Sequence, residues 1–207
     1  MIEDPNTSQD QNIEEEKNDV KITDYTMKRS DRGKKQVKEK KKNFFFDWIV
    51  PVFIAVVLAI LINNFLIFKV YIPSSSMVPT LKVGDRLLVT RVYNPEKLHR
   101  GDIVVFDSDE LNETVIKRLI GLPGDSIKID GTAVYVNGKK LDEPYVEYPM
   151  DSYGTYIVPE GKYFFLGDNR ANSNDSRFWK NPYIDGSKIQ GKAQIRIYPF
   201  NNIGFLE

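Results

Sequence analysis

An uncharged apolar stretch from Trp48 to Phe68 constrains this chain more than any other feature. At about 1.5 Å per residue, a helix of that length matches the roughly 30 Å hydrocarbon core of a lipid bilayer. Pro51 lies in its first turn, where a missing backbone N–H costs little, and Trp48 lies where an interfacial aromatic ring is expected. We therefore predict a single transmembrane helix over residues 44–69.

A buried core helix and a cleavable secretion signal are the alternative explanations of this stretch. A secretion signal has a hydrophobic region of roughly 7–15 residues near the N-terminus, followed by a cleavage site with small residues. The stretch here is longer, begins far into the chain, and has no Ala-x-Ala sequence after it. Asn63 and Asn64 interrupt it near its end, where amides can reach the headgroups or a partner helix.

Charges are sorted along the chain, although the 29 Lys and Arg residues balance the 29 Asp and Glu residues. Residues 1–43 are polar and acid-rich and end in a basic run, Lys34–Lys42. This composition predicts a disordered tail. Because lysines cluster before the apolar stretch, the positive-inside rule places the tail in the cytoplasm and residues 70–207 outside the membrane. A lysine run beside a span is usually a topology signal, so we predict no nucleic-acid partner.

The absence of cysteine and the presence of a single histidine exclude several kinds of site. Disulfides, thiolate nucleophiles and Cys-based metal sites are impossible. A His-rich metal site is excluded as well, and a Ser-His-Asp triad would have to use His99. That residue lies in a charged loop without an evident carboxylate partner, which indicates a surface histidine.

Residues 70–207 have the pattern of an antiparallel β domain, so the predicted fold class is mainly β with one N-terminal transmembrane helix. Short strand-like runs recur, each bounded by Gly, Pro, Asn or Asp. These runs are Arg86–Tyr93, Ile103–Phe106, Thr114–Ile120, Ala133–Val136, Tyr163–Leu166 and Ala193–Tyr198. Residues 124–161 are richer in turns, Tyr and Pro and are expected to form a smaller appended sheet.

Two kinds of short motif predict turns in this domain. Asn137-Gly138 stands between two strand-like runs and indicates a two-residue hairpin with positive φ at both positions. Gly-Asp pairs predict tight turns, because Gly takes positive φ freely and Asp bonds back to the backbone. They begin at Gly84, Gly101, Gly124 and Gly167.

A serine segment, Tyr71–Leu81 (YIPSSSMVPTL), directly follows the predicted span. Pro73 and Pro79 bracket three serines and restrict the backbone around them. A nucleophilic serine needs such stiffness, because its hydroxyl must be presented beside a donor for the oxyanion. The alternative is a Ser/Pro linker, but the flanking Met, Val, Thr and Leu are too apolar for a solvated linker.

Lys117 is the candidate base for such a serine. On a strand it shares a face with Val115 and Leu119. A lysine on an apolar face is desolvated, which lowers the pKa of its amine and can leave it neutral. The alternative is a lysine that extends to solvent at the edge of a sheet.

The loop Gly167–Arg177 (GDNRANSNDSR) is the third candidate, and it directly follows an apolar strand. Its hydrogen-bonding groups could orient a catalytic amine or form buried Asp–Arg pairs. A polar surface loop is the simpler alternative. A calcium loop is disfavoured by the missing glutamate and the irregular spacing.

Four motifs in this order behind an N-terminal anchor resemble those of the bacterial type I signal peptidases. The serine segment is similar to the family's nucleophile motif, and Gly101–Val104 to its Gly-Asp-hydrophobic strand. Lys117–Asp125 (KRLIGLPGD) is similar to its lysine motif, and Gly167–Arg177 to its last motif. The tail and the segment around residues 134–159 are not matched. The single anchor resembles the smaller Gram-positive members.

At the matching positions, the resemblance implies that Ser76 is the nucleophile and Lys117 the general base. Ser74 would give its hydroxyl to the oxyanion hole, and Ser173 would orient the Lys117 amine. Four residues would supply structural charges around the site: Asp168, Asp175, Arg118 and Arg177. Two apolar residues beside the nucleophile are expected to face substrate or lipid: Met77 and Val78.

The resemblance also implies a fold, a chemistry and partners. The expected fold is an antiparallel β catalytic core with a smaller appended sheet. The expected chemistry is acyl transfer through a serine ester, without metal or cofactor, after Ala-x-Ala-type sites in the signal peptides of preproteins. The lipid bilayer is the other expected partner, and the protein-export translocon is a further candidate.

Two alternatives come from other functional classes. The first is a non-catalytic membrane protein that binds signal peptides or translocation components. The second is a self-cleaving Ser/Lys protease of the repressor type. The predicted span counts against the second alternative, and the sequence contains no evident DNA-reading helix.

Overall fold

The computed structural model describes residues 45–206, so the predicted tail, residues 1–43, lies outside the described residues. The chain divides into two units, Met1–Pro51 and Val52–Glu207, and the domain described below belongs to the second. Helical structure consists of a π-helical turn (Phe45–Ile49), the helix α1 (Val50–Leu61) and a second π-helical turn (Ile62–Leu66).

Residues 46–66 form one helix that is long and apolar enough to cross a membrane, with a mean hydropathy of 2.6 over an 18-residue stretch of it. None of its side chains is buried, which is typical of a lipid-facing helix and not of a core helix. The helix ends at Leu66, and Ile67–Lys69, which we expected to be helical, begin the first strand. The cause is local, because Asn63-Asn64 disfavour a helix interior and the β-branched and aromatic residues that follow favour a strand.

Twelve strands run through the described residues, and all of their pairings are antiparallel. The first six are β1 (Ile67–Tyr71), β2 (Arg86–Arg91), β3 (Ile103–Ser108), β4 (Glu113–Gly121), β5 (Ser126–Gly131) and β6 (Ala133–Val136). The others are β7 (Lys139–Lys140), β8 (Ser152–Ile157), β9 (Lys162–Leu166), β10 (Ile184–Asp185), β11 (Ile189–Tyr198) and β12 (Gly204–Phe205). The six predicted runs coincide with strands, and the largest difference is that β11 begins at Ile189 rather than Ala193.

The strands form two sheets. The larger has the order β1-β2-β11-β3-β4-β9-β10, with β12 paired to β11. The smaller has the order β7-β6-β5-β8 and lies within the stretch predicted for an appended sheet. The predicted hairpin is confirmed, because Asn137 and Gly138 join β6 to β7 with φ of 52° and 79°.

A shared apolar cluster packs the smaller sheet onto the larger. It combines Ile120 of β4 and Phe164 of β9 with Ile127 and Val134 of the small sheet, all at most 1% exposed. Burying a side chain of this size contributes about 1.5–3 kcal/mol. The small sheet is therefore held to the large sheet by apolar contacts of its own.

Three of the four Gly-Asp pairs form the same turn. Gly84, Gly101 and Gly124 have positive φ, and the Asp that follows each one accepts a hydrogen bond from the backbone N–H three residues before it. The fourth pair differs, since Gly167 is absent from the glycines with positive φ. Gly167 instead allows close contact with Ser76 and Ser173, as described below.

Candidate active site

The serine segment connects β1 to β2 and is packed against the protein. Ile72 N–H donates to the Asp85 carbonyl (3.0 Å), and Gly84 N–H donates to the Ile72 carbonyl (2.9 Å), which ties the two ends of the segment together. Met77 and Leu81 are fully buried in a core cluster of the large sheet. These apolar anchors fix the backbone around the serines, so the segment is not a solvated linker.

The burial of Met77 corrects one expectation. We expected its side chain to face substrate or lipid, but it is 0% exposed in the core. The turn that presents Ser76 points the next side chain inward, where an apolar residue is favoured. Val78 is partly buried, and its contact with substrate or lipid stays a prediction.

Lys117 lies beside Ser76 in the folded chain, 41 residues away in sequence. Its Nζ donates to Ser76 Oγ at 2.6 Å, and the two residues are 5% and 7% exposed. Lys117 is fixed on β4 through pairing with Val104 of β3. Ser74 Oγ lies 3.3 Å from Ser76 Oγ. The structure thus brings together three of the predicted residues within hydrogen-bonding reach.

Burial lowers the pKa of Lys117 from its ordinary value of 10.5 to about 8. The main cause is removal of the ammonium group from water. Three carboxylates oppose this shift and raise the pKa, namely those of Asp175, Glu113 and Asp168, and Arg177 lowers it slightly. About a tenth of the amine is therefore neutral at pH 7, compared with roughly 0.03% at the ordinary pKa.

The loop Gly167–Arg177 holds the main chain of the serine segment. Asn169 donates its backbone N–H to the Ser76 carbonyl (3.0 Å) and its side-chain amide to the Ser75 carbonyl (3.2 Å). Asn172 Nδ2 donates to Ser75 Oγ (2.8 Å). We did not predict individual roles for either asparagine, and only the density of hydrogen-bonding groups in the loop pointed to them.

Gly167 permits the close approach of this loop to the nucleophile. A Cβ at this position would lie 2.6 Å from the Ser76 carbonyl oxygen and would collide with the Ser173 side chain. Ser173 Oγ is buried, and among the described residues it has no hydrogen-bond partner. The predicted hydrogen bond from Ser173 to Lys117 is therefore not formed in this structure, although Ser173 packs directly beside the site.

Two buried ion pairs contain the four predicted charges. Arg118 forms a two-pronged pair with Asp168, through Nε at 2.9 Å and Nη2 at 2.8 Å. Arg177 forms the same kind of pair with Asp175, at 2.8 and 2.9 Å. Each of the four side chains is at most 3% exposed. Removing one partner of such a buried pair typically costs about 3–5 kcal/mol.

A third buried ion pair was missed from sequence. Arg170 donates to both carboxylate oxygens of Glu143, at 2.5 and 3.2 Å. Glu143 comes from the segment between β7 and β8, which none of the four motifs includes. A glutamate in a turn-rich segment is usually exposed to solvent, and no spacing in the sequence linked Glu143 to Arg170.

A groove of about 310 Å³ leads to Ser76 and Lys117. It is lined by Val70 and Tyr71 of β1, by the three serines, and by residues 113–117 of β4. In the described part of the chain, β1 pairs with β2 alone, and residues 113–117 pair with β3 alone. Both strands therefore present an unpaired edge, and both contribute to the wall of the groove.

One further prediction concerns His99. His99 is exposed, as predicted. No group of three or more His, Asp or Glu residues in the range 45–206 is arranged to hold a metal ion.

Comparisons with known proteins identify the family of this chain. The family model described as "Signal peptidase, peptidase S26" matches residues 45–198. Signal peptidase I of Bacillus licheniformis is 43% identical over 79% of this chain and 94% of its own length. Signal peptidase I S of Bacillus subtilis (strain 168) is 38% identical over 79% of this chain and 94% of its own length. A solved signal peptidase I of Enterococcus faecalis V583 is 34% identical over 46% of this chain and 96% of its own, with a TM-score of 0.42. The extent of the family match and the identities over nearly whole relatives establish that this chain belongs to the signal peptidase family, peptidase S26.

Proposed function

We propose that this chain is a serine endopeptidase that removes signal peptides from exported preproteins, with Ser76 as nucleophile and Lys117 as general base. The carrying observation is the 2.6 Å contact between Lys117 Nζ and Ser76 Oγ in a buried site. Family membership supports the activity, and the contact supports the residue roles. The buried Arg118–Asp168 and Arg177–Asp175 pairs support the structural role of these four charges, whereas Ser173 forms no bond to Lys117 here and its orienting role stays a prediction.

The proposed chemistry proceeds by acyl transfer. Neutral Lys117 accepts the Ser76 hydroxyl proton as Oγ attacks the scissile carbonyl carbon. The Ser74 hydroxyl donates to the developing oxyanion. The Lys117 ammonium then returns its proton to the leaving amine, and an ester of Ser76 remains. Water, deprotonated by Lys117, hydrolyses this ester and releases the signal peptide.

The groove supports binding of the substrate in extended form. A peptide strand between the unpaired edges of β1 and β4 would form main-chain hydrogen bonds, as in other cases of strand addition. Side chains at alternate positions would then face the groove wall beside Ser76. Small residues at the first and third positions before the cut, as in Ala-x-Ala, fit this alternation.

The apolar helix supports a membrane location for the site. We propose that residues 46–66 span the bilayer with the basic run on the cytoplasmic side, which places the catalytic domain on the outer face. A signal peptide whose hydrophobic segment ends at that surface would present its cleavage site on the same side of the membrane as the catalytic domain. The bilayer, the preprotein and the export translocon are the proposed partners.

Mass spectrometry of the cleavage product tests this function. The full-length protein in lipid is incubated with a preprotein that carries an Ala-x-Ala site, and the new N-terminus is identified. We expect a single cut after the second alanine, and no cut in a matched substrate with Phe at that position. Absence of cleavage by folded protein, or equal cleavage of both substrates, would contradict the proposal.

A serine-directed acylating probe distinguishes the enzyme from a non-catalytic signal-peptide-binding protein. An enzyme with an activated serine is acylated at Ser76, and peptide mapping locates the label. A binding protein with the same groove retains the peptide but leaves the serine unmodified. Peptide binding without labelling would therefore favour the non-catalytic alternative.

The pH dependence of cleavage provides a separate prediction. Because the reaction requires neutral Lys117, and its pKa is about 8, kcat/KM is expected to fall as the pH drops through that value. Below about pH 8, the decrease in kcat/KM approaches about tenfold per pH unit. Rates on a short peptide substrate are compared with the folded fraction at each pH. A rate that stays constant into the acid range would exclude Lys117 as the base.

A further inference from the structure

The segment Leu141–Tyr148, here called the strap, forms most of the connection from β7 to β8 and contains no strand of its own. It lies outside the four motifs that identify the catalytic residues. Yet it contacts the loop Gly167–Arg177 and its surroundings at three points. The strap therefore contacts the site, although it belongs to none of the four motifs and has no role in the proposed chemistry.

The first contact is the ion pair between Glu143 and Arg170. The side chains are 10% and 5% exposed, and the guanidinium engages both carboxylate oxygens. Arg170 Nε also donates to the Gly167 carbonyl at 3.0 Å. The strap is thus connected through one arginine to the glycine that packs against Ser76.

The second contact is made by Tyr145. Its ring packs against the Arg118 guanidinium at 3.9 Å from the ring centroid, and its hydroxyl donates to Glu143 Oε1 at 3.0 Å. Arg118 in turn holds Asp168 with two hydrogen bonds. Such a stacked arginine has a fixed plane, which fixes the direction of its hydrogen bonds.

The third contact involves the main chain alone. Ala171 N–H donates to the Tyr148 carbonyl at 3.1 Å. The strap therefore holds the loop at Gly167, Asp168 and Ala171, on both sides of Asn169. Asn169 is the residue whose N–H donates to the Ser76 carbonyl.

The small sheet is attached to the large sheet by other contacts as well. The apolar cluster that includes Ile120, Ile127 and Phe164 already packs the two sheets together. The strap residues instead direct buried charged groups toward the loop beside the nucleophile. Buried ion pairs are weak sources of stability but specify one arrangement when every partner is present.

We propose that the strap is a positioning element of the active site, in which Glu143 and Tyr145 hold Gly167–Asp168 and thereby fix Ser76 relative to Lys117. This inference rests on the proposed function. No residue of the strap lines the groove that leads to Ser76 and Lys117. Their effect passes through Arg170 and Arg118 to the loop, and from the loop to the Ser76 main chain.

Substitution of Tyr145 tests the proposal in the full-length protein. Tyr145→Ala is expected to lower kcat per titrated active site by about 10- to 100-fold, with KM within about twofold, because small misplacement of reacting groups is costly. Tyr145→Phe keeps the ring over Arg118 and should retain most of the activity. Tyr153→Ala is the matched control, since Tyr153 lies on β8 of the same sheet and is 75% exposed.

The pH profile separates positioning from loss of folded protein. Loosening the loop admits water to Lys117, and burial is the main cause of its lowered pKa. The acid limb of the Tyr145→Ala profile should therefore move to higher pH, so that alkaline buffer restores part of the rate. A purely structural role would reduce the number of titratable sites and leave the profile of the remaining sites unchanged.

A second variant avoids an unpaired buried charge. Glu143→Ala would leave Arg170 buried without its partner, whereas the double variant Glu143→Leu with Arg170→Met removes both charges. We expect the double variant to fold and to show the same loss of kcat and the same pH shift as Tyr145→Ala. Wild-type kcat and pH profile in both variants would overturn the positioning role. That result would leave the proposed function intact, because the function depends on acylation and cleavage by the unaltered chain.

Discussion

Replacement of Ser76 by alanine is expected to abolish signal-peptide cleavage while the protein stays folded. The substitution removes the oxygen that would form the ester, and loss of a catalytic serine typically lowers kcat by at least ~10³-fold. The main-chain hydrogen bond from Asn169 to the Ser76 carbonyl does not depend on the side chain. The fold should therefore persist, as measured by thermal unfolding beside the cleavage assay.

Ser126→Ala provides the matched control for this substitution. Ser126 is an exposed serine on β5, away from the groove, so its loss should change neither cleavage nor acylation. The probe should label the control at Ser76 and should fail to label Ser76→Ala. Cleavage by Ser76→Ala at the wild-type rate would show that another group is the nucleophile.

Lys117→Met is expected to have two opposite effects, namely loss of cleavage and a gain in stability at neutral pH. Methionine has a similar length and fills the buried site without a charge, but it cannot accept the Ser76 proton. In the wild-type protein, burial keeps the folded-state pKa at about 8, below the ordinary value of 10.5. Below about pH 8 this shift destabilises the folded wild type by about 3 kcal/mol, and the methionine variant avoids that cost.

The sign of this effect is testable through the pH dependence of unfolding. Between the two pKa values the unfolded chain binds a proton at Lys117 that the folded chain largely lacks. Stability contributed by this residue therefore rises with pH across that window. Chemical unfolding at several pH values should show the rise in the wild type and not in Lys117→Met. Equal slopes would contradict the lowered pKa, and retained cleavage would contradict the role of Lys117 as base.

Local sequence patterns predicted six of the twelve strands and several turns of this fold. Alternation and turn residues identified the strand that carries Lys117. The two residues Asn137-Gly138 were enough to identify the hairpin between β6 and β7. These features depend on neighbours in the chain. The Gly-Asp pair at Gly167 shows the limit of such reasoning, because its glycine is needed for a contact with Ser76, far away in sequence.

Contacts between distant residues account for what the sequence did not reveal. The family resemblance pointed to Ser76 and Lys117, but nothing in the sequence indicated that Asn169 would hold the Ser76 carbonyl. The ion pair of Glu143 with Arg170 joins two loops whose proximity depends on how the small sheet packs. Met77 was expected to face substrate or lipid because it is apolar and adjoins Ser76, but the turn directs its side chain into the core.

The unpaired edges of β1 and β4 have a consequence for the accuracy of cleavage. A peptide strand repeats its main-chain hydrogen-bonding pattern and the direction of its side chains every two residues. A shift of one residue would turn every side chain to the opposite face, whereas a shift of two restores both features. Main-chain pairing alone would thus accept several alignments of one preprotein, spaced by two residues. Selection of a single scissile bond must then come from the side chains that fit beside Ser76.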